Sequence, residues 1–201
     1  MEYLLLGFIT GLSLILAIGA QNIFVIEQGL KKQYVFLVCL ICSISDLILI
    51  FLGIFLFHYF IQYFNSTIEL IFNILLIIFL LHFIYSKIKT LNLSVNLSSN
   101  TENILKLNIF LRTLAFTYLN PHVYSDTVFF LGNFSKSLSQ VDKYYFGTGA
   151  AISSFLFFFI LGYLSKYFSK YLKSVKVWKR INYLIILFMS ILALTVLMEI
   201  I

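Results

Sequence analysis

The chain has 201 residues, of which 61% are hydrophobic and only 11% are charged, and its mean hydropathy is +1.00. Soluble domains are about half apolar and a quarter charged, so this composition excludes a soluble globular protein and indicates an integral membrane protein. The net charge of +6 is explained by orientation in a membrane, and no nucleic-acid partner is predicted.

Long apolar runs recur along the chain, and each is long enough as a helix to cross a hydrocarbon core about 30 Å thick. The runs lack the period-two alternation of a membrane barrel, so helices are predicted and not strands. The first run has no basic n-region and no small-x-small cleavage site, so it is expected to be a retained helix. Six transmembrane helices are predicted, at about 4–26, 36–61, 68–88, 108–132, 145–168 and 181–200.

Basic residues are distributed unevenly among the predicted loops. Eleven of them lie at the first, third and fifth loops, and two lie at the second and fourth. The positive-inside rule therefore puts the odd-numbered loops in the cytoplasm and both termini outside. The eleven are Lys31, Lys32, Lys87, Lys89, Lys106, Lys166, Lys170, Lys173, Lys176, Lys179 and Arg180, and the two are Lys136 and Lys143.

A low-complexity Leu/Ser/Asn stretch divides the predicted helices into two sets of three. We expect one transmembrane transporter domain, 1–201, made of repeat one (about 1–90), a linker (about 91–106) and repeat two (about 107–201). An odd number of helices in each half means that two structural repeats would be inserted in opposite orientations, as in many secondary transporters. The predicted fold class is an all-α integral membrane protein with six transmembrane helices arranged as two inverted three-helix repeats.

Each half contains a polar interruption within an apolar helix. The sequence GAQN interrupts the first predicted helix at 19–22, and LNPH interrupts the fourth at 119–122, which is 100 residues later. Broken helices expose unpaired backbone groups and helix ends at mid-membrane, where transporters bind substrates. We therefore predict broken first and fourth helices, with the breaks at Gly19 and Pro121.

Two carboxylates lie inside predicted membrane helices. Asp46 is about ten residues into the second helix, and Asp126 lies just past the break in the fourth. A carboxylate at the centre of a spanning helix costs about 2.5 to 3.5 kcal/mol on insertion scales, so each requires a partner or a water-filled cavity. Arg112 is the obvious counter-ion for a structural pair, but near its helix end it can snorkel to the interface. The two acids therefore favour a transport role.

A site with two carboxylates and no fixed cation nearby suits a cationic ligand such as a guanidinium or an ammonium group. Amides and broken helix ends can serve the α-amino and α-carboxylate groups of an amino acid. The residues alone favour a basic amino acid and leave a polyamine or a metal cation open. The predicted substrate-binding residues are Asp46, Asp126, Gln21, Asn22, Asn120 and His122. The neighbouring hydroxyls that could hydrogen-bond to the two carboxylates or to bound water are Ser43, Ser45, Ser125 and Thr127.

Two other function classes are weaker. A membrane thiol oxidoreductase needs reactive cysteines in both halves, whereas Cys39 and Cys42 share one helix and are read as packing residues. A membrane hydrolase would have only His122 and Asp126, which do not complete a metal site. We therefore predict no enzyme activity, no catalytic residue, no cofactor and no metal site.

Three segments resemble signature segments of the lysine exporter (LysE) family, in particular its lysine/arginine exporter branch: GLSLILAIGAQNIFVIEQGLKK, CSISDLIL and LAFTYLNPHVYSDT. The resemblance covers about 7–198. The related homoserine/threonine efflux branch typically has Pro-Gly-Pro near the first break and Asn-Pro-Lys in the fourth helix, and neither occurs here. Glu27 stands where the family usually has Arg or Lys, and at i, i+4 to Lys31 it is expected to form a solvated interfacial pair.

The resemblance implies a secondary transporter that exports L-arginine or L-lysine across the bacterial cytoplasmic (inner) membrane, with Asp46 and Asp126 at the family's acidic positions. Moving a monocation outward against an inside-negative potential costs about 2.3 kcal/mol per 100 mV. We therefore expect proton exchange, with proton and substrate competing for Asp46 and Asp126. Efflux of neutral amino acids or of a metal cation is the alternative, and the choices between antiport and uniport and between monomer and homo-oligomer stay open.

Overall fold

The computed structural model describes residues 1–16, 19–63, 66–92, 105–171 and 175–200. These residues form helices and short connections, with no β-strand among them. The elements in chain order are α1 (Glu2–Ile15), α2 (Ala20–Lys31), α3 (Val35–Tyr63), α4 (Ser66–Asn92), α5 (Lys106–Tyr118), α6 (Pro121–Tyr124), a π-helix (Ser125–Phe130), α7 (Leu131–Ser135), α8 (Gln140–Phe168), a 3₁₀ turn (Ser169–Tyr171) and α9 (Val175–Ile200).

Several helices are long and apolar enough to cross a membrane. By length and composition, the candidate spans in the described residues are Val35–Phe57, Gln140–Phe168 and Lys179–Met198. Helices α1 and α2 meet at an angle of 81° and qualify together as one broken span, and α4 contains a shorter apolar segment, Asn73–Tyr85. Within the described ranges this membrane protein is therefore all-helical, with three or four candidate spans, and the predicted number of six remains a prediction.

The observed helices agree with the predicted ones except at some boundaries. The first and fourth predicted helices are each divided, and α8 and α9 begin earlier than expected. Helix α8 begins at Gln140 instead of 145 because the Ser139 hydroxyl accepts a hydrogen bond from the Asp142 N–H at 3.3 Å, which caps a polar first turn. Most of the predicted linker, 93–104, lies outside the described residues.

Small residues allow α1 to lie directly against α8. A Cβ added at Gly11 would be 2.9 Å from Cα of Ala150, and one added at Gly7 would collide with the Phe146 carbonyl oxygen. Gly149 of α8 is equally close to the Leu4 carbonyl of α1. Close approach through small residues is the usual way in which membrane helices associate, since lipid offers no hydrophobic driving force between them.

An aromatic cluster joins α2, α4 and α5. The fully buried ring of Phe116 stacks on Phe24 at 4.7 Å between centroids, and it meets Phe79 and Phe83 edge-on at 4.6 and 5.1 Å. Such pairs contribute about 0.5–1.5 kcal/mol each beyond the area they bury. The cluster fixes α2 beside α5 and so brings the two interrupted helices together.

The π-helix packs against α3 through a pair of glycines. A Cβ on Gly53 would lie 2.6 Å from Cα of Val128 and 2.7 Å from the Thr127 carbonyl oxygen. A Cβ on Gly132, just beyond the π-helix, would lie 2.7 Å from the Gly53 carbonyl oxygen. This contact places the helix segment that carries Asp126 next to the helix that carries Asp46.

Candidate functional site

The first break lies slightly before the predicted segment. Helix α1 ends at Ile15, and α2 begins at Ala20 after Gly19, whose extended backbone (φ −101°, ψ −178°) makes it the N-cap. The Asn22 side-chain amide donates to the Ile15 carbonyl at 3.0 Å and so caps the end of α1. Ala20, Gln21 and Asn22 therefore do not form the interruption itself, because they make up the first turn of α2.

The second break lies within the predicted segment. Helix α5 ends at Tyr118 and α6 begins at Pro121, so that Asn120 stands between them. The Asn120 side-chain oxygen accepts a hydrogen bond from the His122 N–H at 3.1 Å, and the Tyr124 hydroxyl donates to the Tyr118 carbonyl at 3.0 Å. These bonds satisfy backbone groups that the break would otherwise leave unpaired. The side chain of Pro121 lies outside the described part of the chain.

A π-helix follows the second break, and the sequence did not predict it. It runs from Ser125 to Phe130 and contains Asp126 in its first turn. The Thr127 hydroxyl donates to the Val123 carbonyl at 2.6 Å, across the junction with α6. Short π-helical segments are frequent at functional sites because the wider turn changes the direction of a side chain relative to its helix.

The two breaks face one cavity of about 340 Å³. This volume is within the range of about 300–1,000 Å³ that is typical of small-molecule sites. Helices α3, α4, α8 and α9 complete the walls, with apolar side chains such as Leu80 and Val196. Every substrate-binding residue predicted from the sequence lines this cavity, as does the break residue Gly19: they are Gln21, Asn22, Asp46, Asn120, His122 and Asp126.

Asp46 is almost completely buried, with 4% of its surface exposed. The hydroxyl of Ser154, on α8, donates to Oδ2 of Asp46 at 2.8 Å. The other carboxylate oxygen, Oδ1, is buried and has no hydrogen-bond partner among the described residues. The neighbouring Ser43 hydroxyl, which could bond to the acid or to bound water, likewise has no hydrogen-bond partner among the described residues. A buried acceptor without a partner is costly unless a ligand or water satisfies it.

Gln21 links the first break to α5. Its amide nitrogen donates to the Thr117 hydroxyl at 3.1 Å, and Thr117 in turn donates to the Thr113 carbonyl at 3.0 Å. All three side chains are buried. The sequence identified Gln21 as a polar group of the site but did not identify Thr117, whose hydroxyl fixes the orientation of that amide.

The cavity has an acidic character. Asp46 and Asp126 are among its lining residues, and no Lys or Arg is among those that the structure describes. Arg112, the counter-ion considered for a structural pair, is partly exposed and does not line the cavity. The described residues also contain no group of three or more His, Cys, Asp or Glu side chains that could hold a metal ion. The described lining therefore suits a cationic ligand.

Two features outside the cavity differ in how well the sequence anticipated them. Glu27 pairs with Lys31 at 2.5 Å as expected, but only 2% of its surface is exposed, so the expectation of a solvated pair is wrong. Cys39 and Cys42 are both buried free thiols, and Cys39 donates to the Phe158 carbonyl at 3.2 Å. These contacts agree with the interpretation of the cysteines as packing residues.

Comparison with known proteins identifies one family model and a set of similar arginine exporters. A family model described as LysE type translocator matches residues 12–200. The arginine exporter proteins ArgO of Salmonella paratyphi C (strain RKS4594), Salmonella choleraesuis (strain SC-B67) and Salmonella typhimurium (strain LT2) are each 34% identical over 187 residues. These alignments cover 92% of this chain and 88% of each relative. No solved structure matches the chain.

The family match extends over almost the whole chain, including both breaks and both cavity carboxylates. An apolar helical protein with this match is a membrane transporter and not an enzyme. The chain belongs to the LysE type translocator family.

Proposed function

We propose that this protein exports a basic amino acid, L-arginine in the first place, from the bacterial cytoplasm. The observation that carries the proposal is a cavity lined by two carboxylates and, among the described residues, by no Lys or Arg. The names of the similar arginine exporters favour arginine over lysine as the substrate.

The cationic side chain of the substrate would bind at the two carboxylates that line the cavity. Asp46 offers the buried oxygen Oδ1, and Asp126 offers a second carboxylate from the π-helix. A guanidinium is planar, carries five N–H donors and is more weakly hydrated than an ammonium, so it can leave water for such a site at lower cost. Gln21, Asn22, Asn120 and His122 would contact the rest of the substrate.

Export would be coupled to proton entry. Outward movement of a monocation opposes the membrane potential, and an exchanged proton would compensate the charge. Burial favours the neutral form of a carboxylate when no cation is bound. Asp46 and Asp126 would therefore bind a proton and the substrate in alternation.

The architecture proposed for this cycle is six transmembrane helices in two inverted repeats within one domain, 1–201, with both termini outside. The paired breaks near Gly19 and Pro121, and the excess of basic residues in the odd-numbered loops, support this arrangement.

Cysteine-accessibility labelling of Glu2→Cys in intact cells tests the orientation of the N-terminus. An impermeant thiol reagent should label it from outside.

Export is tested in an exporter-deficient bacterial strain that is challenged with the arginine analogue canavanine. Expression of the wild-type chain should protect the cells, and Asp46→Asn should remove the protection at equal protein levels in the membrane. Protection that survives both Asp46→Asn and Asp126→Asn would show that the carboxylates do not carry the substrate. Protection against neutral amino-acid analogues alone, or against toxic metal cations alone, would support the alternative substrates.

Coupling is tested with purified protein in liposomes loaded with labelled arginine. A pH gradient that is acidic outside should accelerate efflux severalfold, and the gradient of opposite sign should slow it. Efflux with the same rate under both gradients, at a membrane potential clamped to zero, would exclude proton exchange while leaving arginine export intact.

A further inference from the structure

The first turn of α2 presents hydrogen-bond donors to the cavity. No side chain caps this helix, and no described residue accepts a hydrogen bond from the N–H groups of Ala20 or Gln21. Gly19, Ala20 and Gln21 all line the cavity. The amino end of a helix carries about half a positive charge, so this turn of the 12-residue helix α2 attracts an anion.

A second donor reaches the same place from the other break. Asn120 is 4% exposed and uses its side-chain oxygen to accept from the His122 N–H, which fixes the orientation of the amide. Its nitrogen, Nδ2, therefore points the other way and donates to no described residue. A Cβ added at Gly19 would lie 3.8 Å from Nδ2, so this buried donor lies directly beside the amino end of α2.

We infer that the Ala20 and Gln21 N–H groups and Nδ2 of Asn120 form a subsite for the α-carboxylate of the substrate. The inference rests on the proposed function, because the substrate must be a cationic amino acid for both the carboxylates and the donors to be used. The two breaks then have one common task, which is to bring a helix end of one half and an amide of the other to the same anion.

The subsite explains how a cavity with two acids selects an amino acid. The carboxylates of Asp46 and Asp126 attract any organic cation, including a polyamine or the decarboxylated arginine, agmatine. The donors of the first turn of α2 and of Asn120, which have no acceptor among the described residues, stay unsatisfied unless the ligand also carries an anionic group. Unpaired buried polar groups are a strong source of selectivity against ligands that lack the matching group.

The selectivity is measured by calorimetric titration of the purified full chain in detergent with three ligands. L-arginine, L-arginine methyl ester and agmatine share the guanidinium but differ in the carboxylate. Hydrogen bonds to a charged group contribute about 1.5–3 kcal/mol, so the dissociation constants of the ester and of agmatine should be about 10-fold or more above that of arginine. Equal affinity for all three would overturn the subsite.

The variant Asn120→Asp sharpens the test because it keeps the shape and the oxygen that caps His122 while it replaces Nδ2 by a charged oxygen. It should weaken arginine binding about 10-fold or more and should leave agmatine binding equal or stronger. The exposed Asn133→Asp, which makes the same chemical change on α7, should alter neither. Parallel loss of arginine and agmatine binding in a folded Asn120→Asp protein would overturn the assignment of Nδ2.

Gly19→Ala gives an independent test that does not change the charge. The Gly19 backbone conformation suits any residue, and among the described residues the added methyl group would meet Nδ2 of Asn120 at an ordinary contact distance. Gly19→Ala should reduce arginine affinity several-fold and leave agmatine affinity unchanged. The methyl group would lie beside the donors that bind the α-carboxylate of the substrate, and agmatine has no such carboxylate. Equal effects on both ligands would contradict the subsite.

The outcomes for the wild type separate the subsite from the proposed function. If the wild type does not bind arginine at all, the proposed function fails. If it binds arginine, the methyl ester and agmatine equally well, only the subsite fails.

Discussion

Asp46 and Asp126 line the same cavity but are held in different ways. Asp46 lies in the regular helix α3, is 4% exposed and receives a hydrogen bond from Ser154 of α8. Asp126 lies in a π-helix just after a helix break and is only partly buried. One acid is therefore fixed by tertiary contacts, whereas the position of the other depends on the local path of its own segment.

This difference separates two roles within one binding site. A carboxylate that is desolvated and has one oxygen already bonded interacts strongly with a cation at its remaining oxygen, since little water competes. A carboxylate with partial access to water interacts more weakly and exchanges partners more easily. We therefore propose that Asp46 is the main anchor of the substrate, and that Asp126 assists it and is the more accessible proton acceptor.

The largest effect is expected from Asp46→Asn. Removal of one charge from a buried, hydrogen-bonded charge pair costs about 2–5 kcal/mol, so the arginine dissociation constant should rise at least about 30-fold. Calorimetric titration of the purified variant measures this change, with its thermal unfolding midpoint as a control for folding. An affinity within threefold of the wild type would show that Asp46 does not anchor the substrate.

Gly53→Ala tests the contact between α3 and the π-helix that carries Asp126. Its methyl group would meet the backbone of the π-helix at Val128 and Thr127, which cannot yield as a side chain can. The free energy of unfolding should fall by about 1–3 kcal/mol, with weaker arginine binding, as measured by thermal or denaturant unfolding of the purified protein. The control is Gly147→Ala, whose methyl group would have the side-chain ends of Phe51 and Ile54 as its nearest neighbours, and which should cost less. A larger loss for Gly147→Ala would contradict the account of the contact between α3 and the π-helix.

Ser154→Ala tests the hydrogen bond that orients the Asp46 carboxylate. The change removes the 2.8 Å hydrogen bond to Oδ2 and should weaken arginine binding about 10-fold, because the carboxylate loses its fixed orientation. The adjacent Ser153→Ala removes a hydroxyl that donates to the Ala150 carbonyl at 2.7 Å, and it should change affinity less than threefold. Ser154→Thr should restore most of the affinity, since it keeps the donor. Equal effects of Ser153→Ala and Ser154→Ala would argue against a specific positioning role.

The smallest effect on binding is expected from Asp126→Asn. Ion pairs with access to water contribute about 1 kcal/mol or less, so the arginine dissociation constant should rise about fivefold or less. The same variant should lose most of the acceleration of efflux by an acidic exterior in liposomes, since its protonatable group is gone. If Asp126→Asn weakens binding as much as Asp46→Asn, the proposed division of roles is incorrect.

The sequence predicted much of this site because polar groups in an apolar helix are conspicuous. Gln21, Asn22, Asp46, Asn120 and Asp126 were each visible as an exception to lipid-compatible composition, and all line the cavity. Their meeting was expected from the paired interruptions, since a break exposes backbone groups that must face a polar space.

Other parts of the site depend on tertiary packing and left little trace in the sequence. Ser154 is 108 residues from Asp46, and its neighbour Ser153 is chemically identical, so only the rotation of α8 decides which of them bonds to the acid. The π-helix has no distinctive composition, and it lies where α3 approaches through Gly53. The first break lies before Ala20, earlier than predicted, because the Asn22 side chain caps the end of α1 from within α2. The pattern of polar residues in the sequence does not reveal this local hydrogen bond.

The central claim is that one cavity binds arginine between the Asp46 carboxylate and the amino end of α2. A determined structure of the protein in complex with L-arginine tests it most directly. We expect the guanidinium within hydrogen-bond distance of Oδ1 of Asp46, and the α-carboxylate beside the Ala20 N–H and Nδ2 of Asn120. Arginine bound outside this cavity, or bound with its carboxylate towards Asp46, would contradict the account.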